Sequence, residues 1–135
     1  MNKKIGLFWL RDDFRFIKNQ GLIEATTKHN QVVVFYLYKK DIYRDQEAQK
    51  WWLSRSLSNF KKKLNELNIS LEIVETRSFK IFFDSLIKKK DFAIYWNKVY
   101  EPDYLKFDEY LFKIFKNKNI YHKRFRGNAL NEIDE

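Results

Sequence analysis

Short apolar runs alternate with longer amphipathic segments along the whole chain. The run Val32 to Leu37, inside the segment Gln31 to Tyr38, is unbroken. A continuous apolar run of this length is typical of a strand buried on both faces of a parallel sheet. Four further strands are predicted, over Lys4 to Leu10, Leu71 to Glu75, Phe92 to Trp96 and Asn119 to His122.

The intervening segments have helical periodicity. Helices are predicted over Gly21 to Lys28, Gln46 to Leu67, Phe79 to Lys89 and Pro102 to Phe115. In the longest of them, apolar side chains recur every three or four residues and form one stripe: Leu53, Leu57, Phe60, Leu64 and Leu67.

Alternation of strand and helix predicts βαβ units. We therefore expect residues 1–135 to form one Rossmann-like, three-layer α/β/α domain with a five-stranded, mainly parallel sheet. Ligands of such sheets bind beyond the carboxyl ends of the strands, near the point where the strand order reverses. This rule selects three loops, Arg11 to Gln20, Lys39 to Asp45 and Asn97 to Asp103.

Composition narrows the chemistry. The chain lacks cysteine, which excludes disulfides, thiol catalysis and zinc–thiolate sites and fits a reducing cytoplasm. No apolar stretch approaches the roughly 20 residues that span a membrane, and the start lacks a signal peptide, so we expect a cytoplasmic protein without a membrane partner. His29 and His122 are the only histidines, and neither lies in a pattern typical of nucleophilic catalysis or metal binding.

The formal net charge of +9 favours anionic partners. The lysine runs Lys61 to Lys63 and Lys88 to Lys90 are also consistent with solvated helix surfaces and helix ends. The basic, aromatic stretch His122 to Arg126 is a weak nucleic-acid signal, and we interpret it as an exposed connection leaving the domain. We expect at most weak, sequence-independent DNA binding.

Two of the three loops combine charged, amide and aromatic groups. In the first, Arg11 and Asp13 alternate beside Trp9; they can bind an anionic ligand or form a local Arg–Asp network that pins the loop. The loop after the fourth strand suits a planar heteroaromatic ligand. The alternative there is that Trp96 is core, Asn97 caps a turn and Asp103 stabilises the next helix. A Gly-rich phosphate loop is absent from the sequence.

Four motifs follow one another in the order seen in photolyases and cryptochromes. The stretch from Leu7 to Phe16, with Asn19 and Leu22, resembles the opening of that family. The same holds for Trp52-Leu53 with Ser56-Leu57, and for Tyr95-Trp96-Asn97 with Tyr100-Glu101-Pro102. The last is Phe125-Arg126-Gly127-Asn128 with Leu130 and Glu132. The chain is thereby identified as similar to the N-terminal α/β domain of the family.

The resemblance implies a light-harvesting antenna domain whose catalytic FAD and damaged DNA bind a separate helical domain, in the same or another chain. By itself the domain is then not catalytic. Its antenna chromophore is expected to be a deazaflavin, a flavin or a folate. Asp103 and Tyr104 stand where folate-binding members have Asn and then Glu, so a deazaflavin, a flavin or no antenna remains open. The alternatives are a fragment of a cryptochrome-type photoreceptor and a stand-alone nucleotide-binding or interaction module.

Taken together, the loops and the resemblance predict a chromophore over the carboxyl ends of the strands. Arg11 would bond to an anionic edge, Tyr38 or Tyr100 would stack, and Glu101 or Asp103 would accept hydrogen bonds. The predicted contact residues are Trp9, Arg11, Asp13, Tyr38, Lys39, Asn97, Tyr100, Glu101 and Asp103.

Overall fold

A computed structural model describes residues 4–11, 14, 18–39 and 47–126, with backbone only over 47–52. The strands are β1 (Ile5–Leu10), β2 (Val32–Lys39), β3 (Ser70–Thr76), β4 (Phe92–Asn97) and β5 (His122–Phe125). The helices are α1 (Gln20–Lys28), α2 (Glu47–Asn65), α3 (Phe79–Leu86) and α4 (Pro102–Asn117).

The five strands form one sheet in the order β3-β2-β1-β4-β5. Every neighbouring pair is parallel. The chain moves outward from β1 through β2 to β3, then returns to the other side of β1 with β4. The order therefore reverses between β1 and β4, and the predicted parallel α/β fold is confirmed.

Alternate side chains of each strand enter two separate cores. On one face Phe8 and Leu10 pack with α1 and α2, and Leu57, Phe60 and Leu64 form the buried stripe of α2. On the other face Trp9, at the centre of the sheet in β1, packs with α3 and α4. This division gives the expected three layers, and it sends successive residues at the end of each strand toward opposite faces.

The second core is unusually aromatic. Trp9 meets the rings of Phe35, Phe79, Phe83 and Phe107 at centroid separations of 6.4, 5.4, 4.9 and 6.1 Å. Most of these contacts are edge-to-face, the geometry that the ring quadrupole favours. The end of β1 is consequently held by rigid packing on the α3/α4 face.

Several predicted boundaries were wrong. β5 lies at His122–Phe125, so the basic stretch interpreted as an exposed connection is instead the edge strand, held by pairing with β4. α3 ends at Leu86 and α2 at Asn65. Leu67 therefore falls beyond the helix, where it is 55% exposed instead of completing the apolar stripe.

Candidate functional site

The reversal of strand order places the ends of β1 and β4 side by side. Arg11 follows β1 and Asn97 ends β4, and both are nearly buried. Arg11 Nη2 donates to the main-chain oxygen of Asn97 over 2.6 Å. Two of the three predicted loops are thus joined directly through residues of the predicted site.

Arg11 also enters an ion pair with a residue that the sequence interpretation did not include. Its guanidinium donates to Asp108 Oδ1 over 2.9 Å and to Oδ2 over 3.2 Å. Asp108 lies on the buried face of α4 and also accepts from Arg124 Nη1 of β5 at 3.2 Å. Arg11 thus pairs with a carboxylate from a distant helix, and the local Arg–Asp network predicted within the first loop stays a prediction, because the Asp residues of that loop lie outside the described residues.

Burial disfavours the charged form of Arg11, and Asp108 favours it. Desolvation by burial lowers the pKa of Arg11, while the charge of Asp108 and its hydrogen bonds raise it. The guanidinium stays protonated because arginine begins from so high a pKa. Its Nε atom is buried and has no hydrogen-bond acceptor among the described residues.

Asn97 is bonded on the opposite face of the sheet. Its Oδ1 accepts from the main-chain N–H of Gly21 over 2.9 Å, and its Nδ2 donates to Asn19 Oδ1 over 2.7 Å. Asn19 also caps α1 by accepting from Leu22 N over 3.1 Å. Asn97 therefore fastens the start of α1 to β4, a role different from capping its own turn.

The side chains of Trp9 and Lys39 lie on the α3/α4 face. Trp9 is 1% exposed, and Arg11 Cζ lies 4.8 Å from its ring centroid and 5.0 Å from that of Tyr104. Lys39 Nζ lies 4.9 Å from the centroid of Phe79, which also touches Trp9. A chromophore contact of Trp9 stays a prediction and would require the surrounding rings to move.

The last three predicted residues lie on the surface and take no part in the buried ion pair. Tyr100, Glu101 and Asp103 are exposed at the start of α4. Tyr100 donates to the main-chain oxygen of Arg126 over 3.1 Å, and Glu101 is the N-cap residue without a side-chain cap hydrogen bond. Asp13 lies outside the described residues, as do the predicted motif positions from Gly127 onward.

Tyr38 lies apart, on the α2 face. It lines a groove of about 390 Å³ between α2 and the carboxyl halves of β2 and β3. Mainly apolar surface faces this groove, and its edge carries hydroxyl and amino groups. Its other lining residues are Tyr36, Leu53, Ser54, Leu57, Ser58, Lys61 and Ile73. Of these, sequence reasoning had placed only Tyr38 at a ligand site; the Ser residues one turn apart on α2 were a usable signal.

A second hollow, of about 450 Å³, lies between α1 and β5. Its wall is mostly charged or polar, with Gln20, Glu24 and three basic residues of the β5 stretch. Across the described ranges, no group of three His, Cys, Asp or Glu side chains is placed to hold a metal ion. None of the helices in those ranges is both long and apolar enough to cross a membrane.

Comparison with known families decides the relationship. The sequence model described as DNA photolyase matches residues 6–135. The chain belongs to the DNA photolyase family. The photolyase domain gives no match in a search of curated proteins.

Solved photolyases have the same fold. The domain superposes on a bacterial class III photolyase from Agrobacterium tumefaciens with a TM-score of 0.82 and 23% identity, covering 98% of this chain and 27% of that one. An archaeal photolyase from Sulfolobus tokodaii gives 0.80 and 21%, covering 95% and 30%. That structure is described as holding two FAD molecules, with the implication of a novel light-harvesting cofactor. This chain thus spans less than a third of either protein.

Proposed function

We propose that this photolyase domain binds a planar antenna chromophore and transfers its excitation energy to FAD held in a helical domain. Membership of the family and the matching fold support this assignment. The FAD domain, in the same or a separate chain, would bind the damaged DNA and perform the repair. The domain described here would contribute light absorption and not the chemical step.

The apolar groove beside Tyr38 is the observation that carries the proposal. Its volume of about 390 Å³ falls within the roughly 300–1,000 Å³ of small-molecule sites. The partly buried ring of Tyr38 offers stacking surface, and Ser54, Ser58 and Lys61 offer hydrogen-bonding groups for a ring edge. A deazaflavin, a flavin or a folate shares this pattern of a flat apolar face with polar edges.

The remaining predicted residues that the structure describes do not line the groove. Lys39 lies on the α3/α4 face, and Glu101 and Asp103 lie at the start of α4, so contacts of these three residues with the chromophore stay predictions that the groove does not include. Arg11 is already bonded to Asp108 and Asn97. It acts chiefly as a positioning residue that holds the loops after β1 and β4 together. Its Nε has no hydrogen-bond acceptor among the described residues.

Reconstitution tests the site. The purified chain is mixed with FMN, FAD, a deazaflavin or a folate, free chromophore is removed by gel filtration, and the chromophore that stays bound is measured by absorbance above about 350 nm, where protein aromatic residues do not absorb. Ser58→Trp should fill the groove and abolish binding. Asn59→Trp is the matched control, because Asn59 is the next residue of α2, also exposed, and does not line the groove. Equal binding by both variants would place the chromophore elsewhere.

A cryptochrome-type photoreceptor would use the same domain and groove. The distinction lies with the helical partner, and DNA-repair activity of the reassembled protein under blue light separates the two. Light-dependent dimer repair supports the photolyase assignment, and flavin photoreduction without repair supports the photoreceptor.

A further inference from the structure

The edge of the sheet opposite the candidate site gathers the amino ends of all five strands. Gly6 N donates to Gln31 O over 2.9 Å, and Ile94 N donates to Tyr121 O over 3.0 Å. These bonds hold the chain segments entering β1, β2, β4 and β5 at one level. In a parallel α/β domain the carboxyl ends of the helices reach this same edge.

Lysines accumulate at this edge from separate parts of the sequence. They occur in the last turns of α1, α2 and α4, in the turns that follow α3 and α4, and immediately before β1. We call this set the lysine edge: Lys4, Lys28, Lys62, Lys63, Lys88, Lys89, Lys90, Lys116 and Lys118. The carboxylates described beside them are Glu66 and Asp91, together with Glu24, which pairs with Lys28 at 3.4 Å.

Complementing the helix dipoles accounts for only part of this charge. Each helix carboxyl end carries about −0.5 of an elementary charge, so four helices contribute about −2. The effect also fades within the last turn. Lys88 to Lys90 follow the end of α3 at Leu86, and Lys118 follows the end of α4. A positive surplus of several charges therefore remains at the surface.

The dimensions of the edge fit a nucleic-acid duplex. Five strands spaced about 4.8 Å apart make a row roughly 20 Å wide, and a length of duplex DNA equal to that width carries roughly 12 negative charges, one per about 1.7 Å of its axis. We propose that the lysine edge binds the phosphate backbone of duplex DNA without reading its bases. The lysines act as point charges that displace condensed counterions.

A lipid surface fits less well. Binding in a membrane interface requires a contiguous apolar face that enters the acyl region. Among the described residues near this edge, Leu67 and Tyr121 are the strongly exposed large apolar side chains. They lie in different turns, one before β3 and the other before β5.

This binding would be independent of the chromophore site. The lysine edge lies at the amino ends of the strands, whereas the groove beside Tyr38 lies along the carboxyl halves of β2 and β3, so chromophore and DNA would bind the domain together. Loss of either activity would leave the other in place, and the two proposals therefore fail separately.

The test uses the full chain and fluorescence anisotropy of labelled, mixed-sequence duplex DNA at several salt concentrations. Two double variants probe the edge, Lys88→Gln with Lys89→Gln and Lys116→Gln with Lys118→Gln. The control is Lys106→Gln with Lys113→Gln, which removes the same charge from exposed positions in the body of α4. Each edge variant should weaken binding several-fold and reduce the slope of log K against log salt by about 1 for each phosphate that is no longer neutralised.

Three results would overturn the assignment. The first is an equal weakening of DNA binding in the control, because binding would then follow net charge and not position. The second is no DNA binding by the unaltered chain at low salt. The third is binding to anionic phosphatidylserine vesicles that depends on these lysines while binding to DNA does not.

Discussion

Arg11 at the end of β1 and Asp108 on α4 form a two-pronged ion pair across 97 residues of sequence, with contacts of 2.9 and 3.2 Å. Both side chains are almost completely buried. Because Arg11 also bonds Asn97 O, the pair fixes the two loops on either side of the strand-order reversal. The ion pair therefore holds β1, α4 and the end of β4 in one fixed arrangement.

Asp108→Asn should destabilise the domain strongly. The change leaves a buried guanidinium opposite a neutral amide, and breaking one partner of a buried pair costs about 3–5 kcal/mol. Urea unfolding at neutral pH measures the decrease in stability. The variant Arg11→Met with Asp108→Leu removes both charges of the pair and should recover part of the loss, although Arg124 then lacks its bond to Asp108. A decrease below about 1 kcal/mol in Asp108→Asn would show that the pair is not structurally important.

Tyr95 makes the stability of the domain fall at high pH. Burial, followed by the charges of Tyr121 and Glu24, raises the pKa of Tyr95 to about 12 from its usual 10. The unfolded chain therefore loses this proton at lower pH than the folded chain does. The stabilisation is complete below about pH 10 and is lost as the pH rises through about 12, an effect of about 3 kcal/mol.

Tyr95→Phe isolates that effect, because burial also raises the pKa values of Tyr38 and Tyr110. Urea unfolding from about pH 9 to about pH 12 should show a shallower decline for the variant. At neutral pH the variant should be less stable by about 1–3 kcal/mol. The reason is that His29 donates from Nδ1 to Lys4 O and so accepts at Nε2 from the Tyr95 hydroxyl. Identical pH profiles for both proteins would contradict the assignment.

Gly21→Ala sets helix propensity against packing, and packing should dominate. Alanine favours a helix by up to about 1 kcal/mol over glycine. Here the new Cβ would lie 2.6 Å from Phe8 Cε1 and 2.9 Å from Asn97 Oδ1. We expect a net destabilisation of about 1–3 kcal/mol. Thr27→Ala, exposed on the same helix, is the control and should be neutral; a stabilised Gly21→Ala protein would disprove the close packing.

Glu101→Gln tests whether the start of α4, which lies outside the groove beside Tyr38, contacts the chromophore as the sequence predicts. Since Glu101 is exposed and makes no side-chain cap bond, the thermal midpoint should stay unchanged. If the carboxylate accepts from the chromophore, Kd should rise more than about threefold, which corresponds to about 0.65 kcal/mol. Glu109→Gln, exposed farther along α4, provides the comparison. Equal affinities for the two variants would remove Glu101 from the site.

The sequence predicted the fold well because its strongest signals are periodic. β2 is an unbroken apolar run, and the stripe of α2 repeats every three or four residues. β5 was misplaced because its four residues include three polar ones, and their strand conformation depends on pairing with β4. Local preference is weak at such an edge, where tertiary contacts decide.

The site was less predictable because its key partners are distant in sequence. Asp108 had one usable signal: it shares a helical face with Leu111 and Phe115, all three buried. A carboxylate at such spacing predicts a buried cation or hydrogen-bond donor beside it, but the spacing does not identify Arg11. The apolar groove depends on how α2 lies over β2 and β3, which periodicity alone does not determine.

The position of β1 at the centre of the sheet has a consequence for synthesis. Its first partner, β2, is made soon after it, but its second partner is β4 at Phe92–Asn97. At about 5–20 residues per second, a ribosome leaves one side of β1 without its neighbour for several seconds. Throughout that interval the nascent chain displays an apolar strand with open hydrogen-bonding groups, the feature most prone to pairing with other chains. The most protected strand of the finished domain is thus the most vulnerable one during translation.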